Sequence, residues 1–168
     1  MRSALDRFNE TVARYRNRGV LLDANLLVLY VVGSHDARLI QATKATRSFE
    51  RRDFEFIARL VAYAGRLVTT PHLLTEVNGL SNTGVPRRLR RDYLTTFRKQ
   101  IGSMVEVHTE AAAIAEDEVF LRLGLTDAAV LSLGGDPPLV VSTDLDLCVA
   151  LESRRLAVVN YNHVRFLF

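Results

Sequence analysis

The sequence predicts an α/β fold: an open parallel sheet of about five strands flanked by helices, with an extra helix at the N-terminus. Two observations carry this. Short runs rich in Val and Leu are apolar on both parities, as strands covered on both faces require. Between them lie longer stretches with helical periodicity, so strands and helices alternate and right-handed crossovers connect them. A third observation adds the N-terminal helix: Leu5, Phe8, Val12 and Tyr15 recur at helical spacing among polar residues.

In chain order, strands are expected at Gly19–Leu22, Arg66–Thr70, Met104–His108, Leu139–Thr143 and Leu156–Tyr161. Helices are expected over Asp23–Val32, Asp36–Ala64 with a break near Thr46–Phe49, Pro71–Ser81 and Pro86–Ile101. Three more follow at Thr109–Leu123, Thr126–Leu133 and Leu145–Arg154. Thr70-Pro71 sets a capping hydroxyl before a proline at the first helical position. Gly134-Gly135-Asp136-Pro137-Pro138 is a turn that delivers the chain to the fourth strand.

A chain of 168 residues reads as one domain, 1–168, with 1–18 as the helical extension. Hydrophobic content of 48% and charged content of 24% are those of a globular protein. No apolar run reaches the length of a membrane span, and the N-terminus lacks the apolar core of a signal peptide, so the cytoplasm is the expected location with no membrane partner. The single cysteine, Cys148, excludes an internal disulfide and a multi-cysteine zinc site, and its apolar setting marks it as core. Net charge is +3, but its distribution matters more. Arg87, Arg88, Arg90, Arg91, Arg98 and Lys99 crowd one predicted helix against Asp92 alone. By itself such a face is often simply solvated; beside an acidic site it reads as a track for phosphates.

The acidic residues are the informative ones. Asp23 closes the first apolar strand and Asp144 the fourth. Ligands of open α/β sheets bind beyond the carboxyl ends of the strands, so these two carboxylates meet if those strands are neighbours. Glu76 falls on the stripe Leu73, Glu76, Val77, Leu80 and should point over the strand ends, while Asp127 opens the helix before the fourth strand. Taken singly, Asp23, Asp127 and Asp144 are explained as helix caps. Taken together, four carboxylates at one end of a sheet repel one another, and a hard divalent cation, Mg²⁺ or Mn²⁺, relieves that repulsion.

The DAN of Asp23–Asn25, the helix HLLTEV, and the segments GLTDAAVLSL and VVSTDLDL stand in the order found in the PIN domain, and the chain resembles that family from Gly19 to Tyr161. The bacterial type, VapC-like toxins and stand-alone relatives, is the nearest in pattern. The resemblance implies a PIN-like parallel sheet and a Mg²⁺- or Mn²⁺-dependent endoribonuclease using one or two ions. It places catalytic and metal-binding roles on Asp23, Glu76, Asp127 and Asp144. Asn25 would orient Asp23, Thr143 would supply a hydroxyl to a ligand carboxylate or to water, and Asp146 matches an auxiliary acid. It also implies an RNA substrate, a homodimer and, for the toxin type, an antitoxin protein. The N-terminal helix and the long Asp36–Ala64 region exceed the compact toxin pattern. In the expected chemistry a metal ion activates water for in-line attack at phosphorus, leaving 5′-phosphate and 3′-hydroxyl ends.

Other classes leave marks too. A phosphotransfer enzyme of the haloacid-dehalogenase pattern wants an aspartate where Asn25 stands, and a receiver domain wants an acidic pair that is missing. A non-catalytic RNA-binding or partner-binding module would keep the acids and rely on the basic helix. His35, His72, His108 and His163 are scattered over loops and element ends and do not form a histidine-based site.

Overall fold

The computed structural model describes residues 3–167; residues 1, 2 and 168 of the expected domain lie outside the described residues. Helix α1 (Ala4–Tyr15) starts at Ser3, whose hydroxyl accepts from the Asp6 amide while Asp6 accepts from the Ser3 amide. That reciprocal cap satisfies two otherwise orphaned donors. The helix buries Phe8 and Val12, the centre of its predicted stripe.

Strands β1 (Val20–Leu22), β2 (Leu67–Thr69), β3 (Val105–Glu106), β4 (Leu139–Ser142) and β5 (Val158–Asn160) form one parallel sheet in the order β3-β2-β1-β4-β5. This is the PIN-like topology expected, with the N-terminal helix added. Every residue of β1, β2 and β4 is buried, as strands covered on both faces must be. The edge strands are shorter than their sequence suggests. Only Val105 and Glu106 of Met104–His108 pair, and only Val158 to Asn160 of Leu156–Tyr161. Their flanks still bond to the neighbour: the Val107 amide donates to the Thr69 carbonyl at 2.9 Å, and the Ala157 carbonyl accepts from the Val140 amide at 3.1 Å.

The helices that cover the sheet are α2 (Ala24–Asp36), α3 (Arg51–Ala64), α4 (Pro71–Asn82), α5 (Arg90–Ile101), α6 (Ala111–Ala115), α7 (Phe120–Leu131), α8 (Leu145–Ser153) and the short α9 (Tyr161–Val164). Helix α2 is buried almost all round, which fits its unbroken apolar run through Leu26, Leu27, Val28 and Leu29. None of the helices in the described residues is long and apolar enough to cross a membrane.

Two helical expectations need correction. Asp36–Ala64 is not one broken helix: after a 3₁₀ turn at Ala37–Leu39 the chain is irregular until α3 begins at Arg51. The Thr46 hydroxyl donates to the Ile40 carbonyl at 2.6 Å, a local bond that competes with helical pairing. Thr109–Leu123 yields only the single turn of α6 before α7 starts at Phe120. Helix α7 is itself bent at Gly124, whose φ of 80° and ψ of −177° break the helical path. That conformation is reserved almost entirely for glycine.

A charged cluster holds the end of the chain. Asp53 at the start of α3 is 2% exposed. It accepts from the Tyr161 hydroxyl at 2.7 Å, from the Arg165 guanidinium at 2.9 Å and from the Glu50 amide at 2.7 Å. The Arg165 guanidinium also lies against the rings of Phe49, Tyr161 and Phe166. Burial, with Asp53 as hydrogen-bond acceptor, pushes the Tyr161 hydroxyl well above its ordinary range. A buried carboxylate is tolerated here because its charge and both oxygens are satisfied.

Candidate active site

Strands β1 and β4 are neighbours in register, with Leu22 opposite Val141, so their carboxyl ends open side by side. The chain leaves β1 on one side toward β2 and reaches β4 on the other. That reversal of strand order is where open α/β sheets bind ligands. Asp23 sits at this point, its amide donating to the Val141 carbonyl at 3.0 Å.

Asp23 is 5% exposed and is held from four directions. One oxygen, Oδ1, caps α2 by accepting from the Leu26 amide at 2.8 Å. The other, Oδ2, accepts from the Ser142 hydroxyl at 2.7 Å, the Thr143 amide at 2.6 Å and the Thr143 hydroxyl at 3.0 Å. Burial raises its pKa, and these four donors work against the rise. The hydroxyl expected of Thr143 is therefore bonded to Asp23. Asn25, expected to orient Asp23, is exposed, and the bonds that fix Asp23 come from Leu26, Ser142 and Thr143 instead.

Ser142 is the residue that sequence reasoning missed. Its hydroxyl donates to Asp23 and accepts from the Asp144 amide at 2.9 Å, so one side chain ties the ends of β1 and β4 together. The signal available in the sequence is a serine ending the apolar run Leu139–Val141, and the structure buries it fully.

Asp144 is exposed at the start of α8. Its Oδ1 accepts from the amides of Asp146 and Leu147 at 2.8 and 3.1 Å, so it caps the helix as its position allows. Among the described residues its Oδ2 has no hydrogen-bond donor. Asp146 is exposed, and its contribution to this arrangement is its amide.

Asp127 lies in α7 just beyond the bend at Gly124 and is half-buried; it is not a cap. Its pKa is raised to about 7, first by burial and then by the charges of Asp144, Glu76 and Asp23 in that order. Three carboxylates from β1, α4 and α8 thus act on the fourth. Glu76 corrects an expectation. The buried stripe of α4 runs through Leu73 and Val77, and Glu76 stands beside it, exposed. It lines a groove with His72, Thr75 and the Leu125–Thr126 corner of α7, which carries it toward Asp127.

Convergence has a limit. Among the described residues no group of three His, Cys, Asp or Glu side chains stands close enough to hold one metal ion as placed. Cys148 lies behind the site in the core; burial first, and then the charge of Asp23, pushes its thiol up to about 11.

The basic residues form a separate face. Arg87, Arg88, Arg91, Arg98 and Lys99 are exposed, and none has an ion-pair partner among the described residues. Arg90 differs: half-buried, it donates to the Asn82 carbonyl at 2.8 Å and braces the loop between α4 and α5.

Comparison with family models, with curated proteins and with solved structures returned no match for this chain.

Proposed function

We propose that this chain is a divalent-cation-dependent nuclease of the PIN type that hydrolyses RNA phosphodiester bonds. The observation that carries the reading is the pairing of β1 with β4, where the Ser142 hydroxyl bonds both Asp23 and the Asp144 amide and so sets the two acids at neighbouring strand ends; the charges of Asp144, Glu76 and Asp23, after burial, also raise the pKa of Asp127. Carboxylates whose charges couple, two of them at the ends of neighbouring β1 and β4, would make a donor set suited to Mg²⁺ or Mn²⁺. Asp23 and Asp144 would hold the ion, with Asp127 and Glu76 completing its surroundings. Bound there, the ion would activate water and offset charge developing on the phosphate. The protein's own part is positional. Ser142 and Thr143 hold Asp23 in one orientation, and Asp127 keeps a proton near neutrality that a competing cation displaces. The four sequence segments and the strand order support the PIN assignment. An antitoxin and a homodimer are partners that this assignment would bring with it.

The charge coupling makes a pH prediction. A carboxyl whose pKa is raised from 3.8 to about 7 binds its proton more tightly in the folded chain. Its contribution to stability is full below about pH 4 and is lost as pH rises through about 7. Asp127→Asn is therefore expected to match the wild type in Tm near pH 4 and to exceed it increasingly up to pH 8. Adding Mn²⁺ at pH 8 should raise the wild-type Tm and move the variant much less. Thermal unfolding with and without Mn²⁺, beside RNA cleavage with an EDTA control, tests this. Cleavage in EDTA, or Mn²⁺ responses equal in both proteins, would refute the cation site.

A second reading has its own observation. The lack of a three-ligand group among the described residues, taken alone, favours a non-catalytic module that binds RNA or a protein partner through the basic face. Metal-independent RNA binding with no cleavage under any divalent ion would establish it.

A further inference from the structure

Three grooves on the outer surface of the helices abut in sequence. The first lies on the basic face, lined by Arg87, Arg91, Leu94 and Arg98 among others. The second runs between α4 and α5, and shares Leu94 and Arg98 with the first. The third is the groove of Glu76 and Thr126, and shares Thr75 with the second. The three grooves therefore form one run, from arginines without ion-pair partners among the described residues, across α4, to Glu76 and the Leu125–Thr126 corner of α7, next in sequence to Asp127. Its middle is apolar: Leu94 and Ile101 are 38% and 37% exposed, and Leu74 lies across from them.

From this geometry we infer a binding track for one unpaired nucleic-acid strand, laid over α5 and α4 and entering the acidic pocket past Thr75. The inference rests on the nuclease reading for its endpoint, and on charge and shape for its course. Arg91 and Arg98 stand two helical turns apart, roughly 10 Å along α5, with Leu94 between them. Guanidinium groups on the rim hold phosphates, and the apolar floor receives base faces. A duplex keeps its bases stacked and turned inward, so it gains from the arginines but not from the floor. Thr75 is the residue the middle groove and the Glu76 groove share, so a strand passing from one to the other passes over it. The acids repel phosphate at the far end, so the strand's tight grip lies on α5 and the pocket receives only the scissile linkage.

The test uses the full chain and a labelled single-stranded RNA of about 12 nucleotides, with the same RNA annealed to its complement. Binding is followed by anisotropy in EDTA and cleavage in Mn²⁺. The wild type is expected to bind the single strand more tightly than the duplex. R91E/R98E should weaken that binding by about tenfold or more and flatten its salt dependence, with Arg122→Glu, an exposed arginine off the path, as the control. Thr75→Trp, at the residue the two grooves share, should block cleavage while weakening binding much less than R91E/R98E does. Equal or tighter duplex binding overturns the track, as does a double variant that binds normally or a surface that takes only an acidic amphipathic peptide. Failures are separable. Arginine-dependent binding without any cleavage keeps the track and removes the nuclease; cleavage untouched by R91E/R98E keeps the nuclease and removes the track.

Discussion

Asp144→Asn is expected to abolish cation-dependent RNA cleavage, by on the order of 100-fold or more, while leaving the fold intact. The structure makes this the cleaner of the two central substitutions. Asp144 uses one oxygen to cap α8, and asparagine caps a helix about as well as aspartate. The other oxygen carries charge without a hydrogen-bond donor among the described residues, so the amide removes what a cation would need and little else. Stability should stay within about 0.5 kcal/mol, or roughly 2 °C in Tm. Asp23→Asn lacks that selectivity. Oδ2 of Asp23 accepts three donors, and turning an amide NH₂ toward them sets donor against donor in a buried position. That change should cost about 1–3 kcal/mol, so lost activity there would mix chemistry with unfolding. Asp144 is also the largest charge acting on Asp127. In Asp144→Asn the rise in the Asp127 pKa should shrink, and the gain from Asp127→Asn at pH 8 should shrink with it. Paired thermal unfolding and cleavage assays on the single and double variants decide the matter. An Asp144→Asn protein that cuts RNA at the wild-type rate would remove Asp144 from the site.

Asp53→Ala should be the most damaging substitution for stability outside the apolar core. It removes the acceptor for Tyr161 and the counter-charge of Arg165, whose side chain is only 18% exposed. Breaking a buried pair by deleting one partner costs about 3–5 kcal/mol, because the other charge is stranded. For a chain of this length that lowers Tm by roughly 10 °C. Arg165→Met, which keeps apolar contact with Phe49 and Tyr161 but strands Asp53, should also destabilise. Asp53→Asn with Arg165→Met should recover part of the loss, since no unpaired charge remains. A drop of less than about 3 °C for Asp53→Ala would mean the cluster does not anchor the chain end.

The central strands were legible because burial on both faces writes itself into sequence as unbroken apolar runs. The site was legible at Asp23 and Asp144 because a polar residue ending such a run marks a strand's carboxyl end, and the pairing of β1 with β4 brought those ends together. What sequence obscured was geometry set by distance. Asp53 and Arg165 lie 112 positions apart, and nothing local to either announces the other. By spacing Glu76 falls on the apolar stripe of α4, but a helix turns about 100° per residue, and one step from Val77 suffices to bring a side chain to the surface. Ser142 hid beside Thr143: two hydroxyls in succession, of which the buried one spans both carboxylate-bearing strands. The irregular stretch before α3 keeps a helical apolar spacing because a backbone-bonding Thr46 leaves that spacing undisturbed.

The bend at Gly124 gives one backbone residue authority over the electrostatics of the site. Asp127 is aimed by where α7 resumes, three residues after that bend, and its proton affinity follows from the distances this sets. A Cβ at position 124 would meet no neighbour within 4 Å, so an alanine there fits sterically and fails only conformationally. Relaxing the bend would swing Asp127 relative to Glu76 and Asp144 with no acid altered. The acidity of the pocket is thus adjustable from a position that carries no functional group at all.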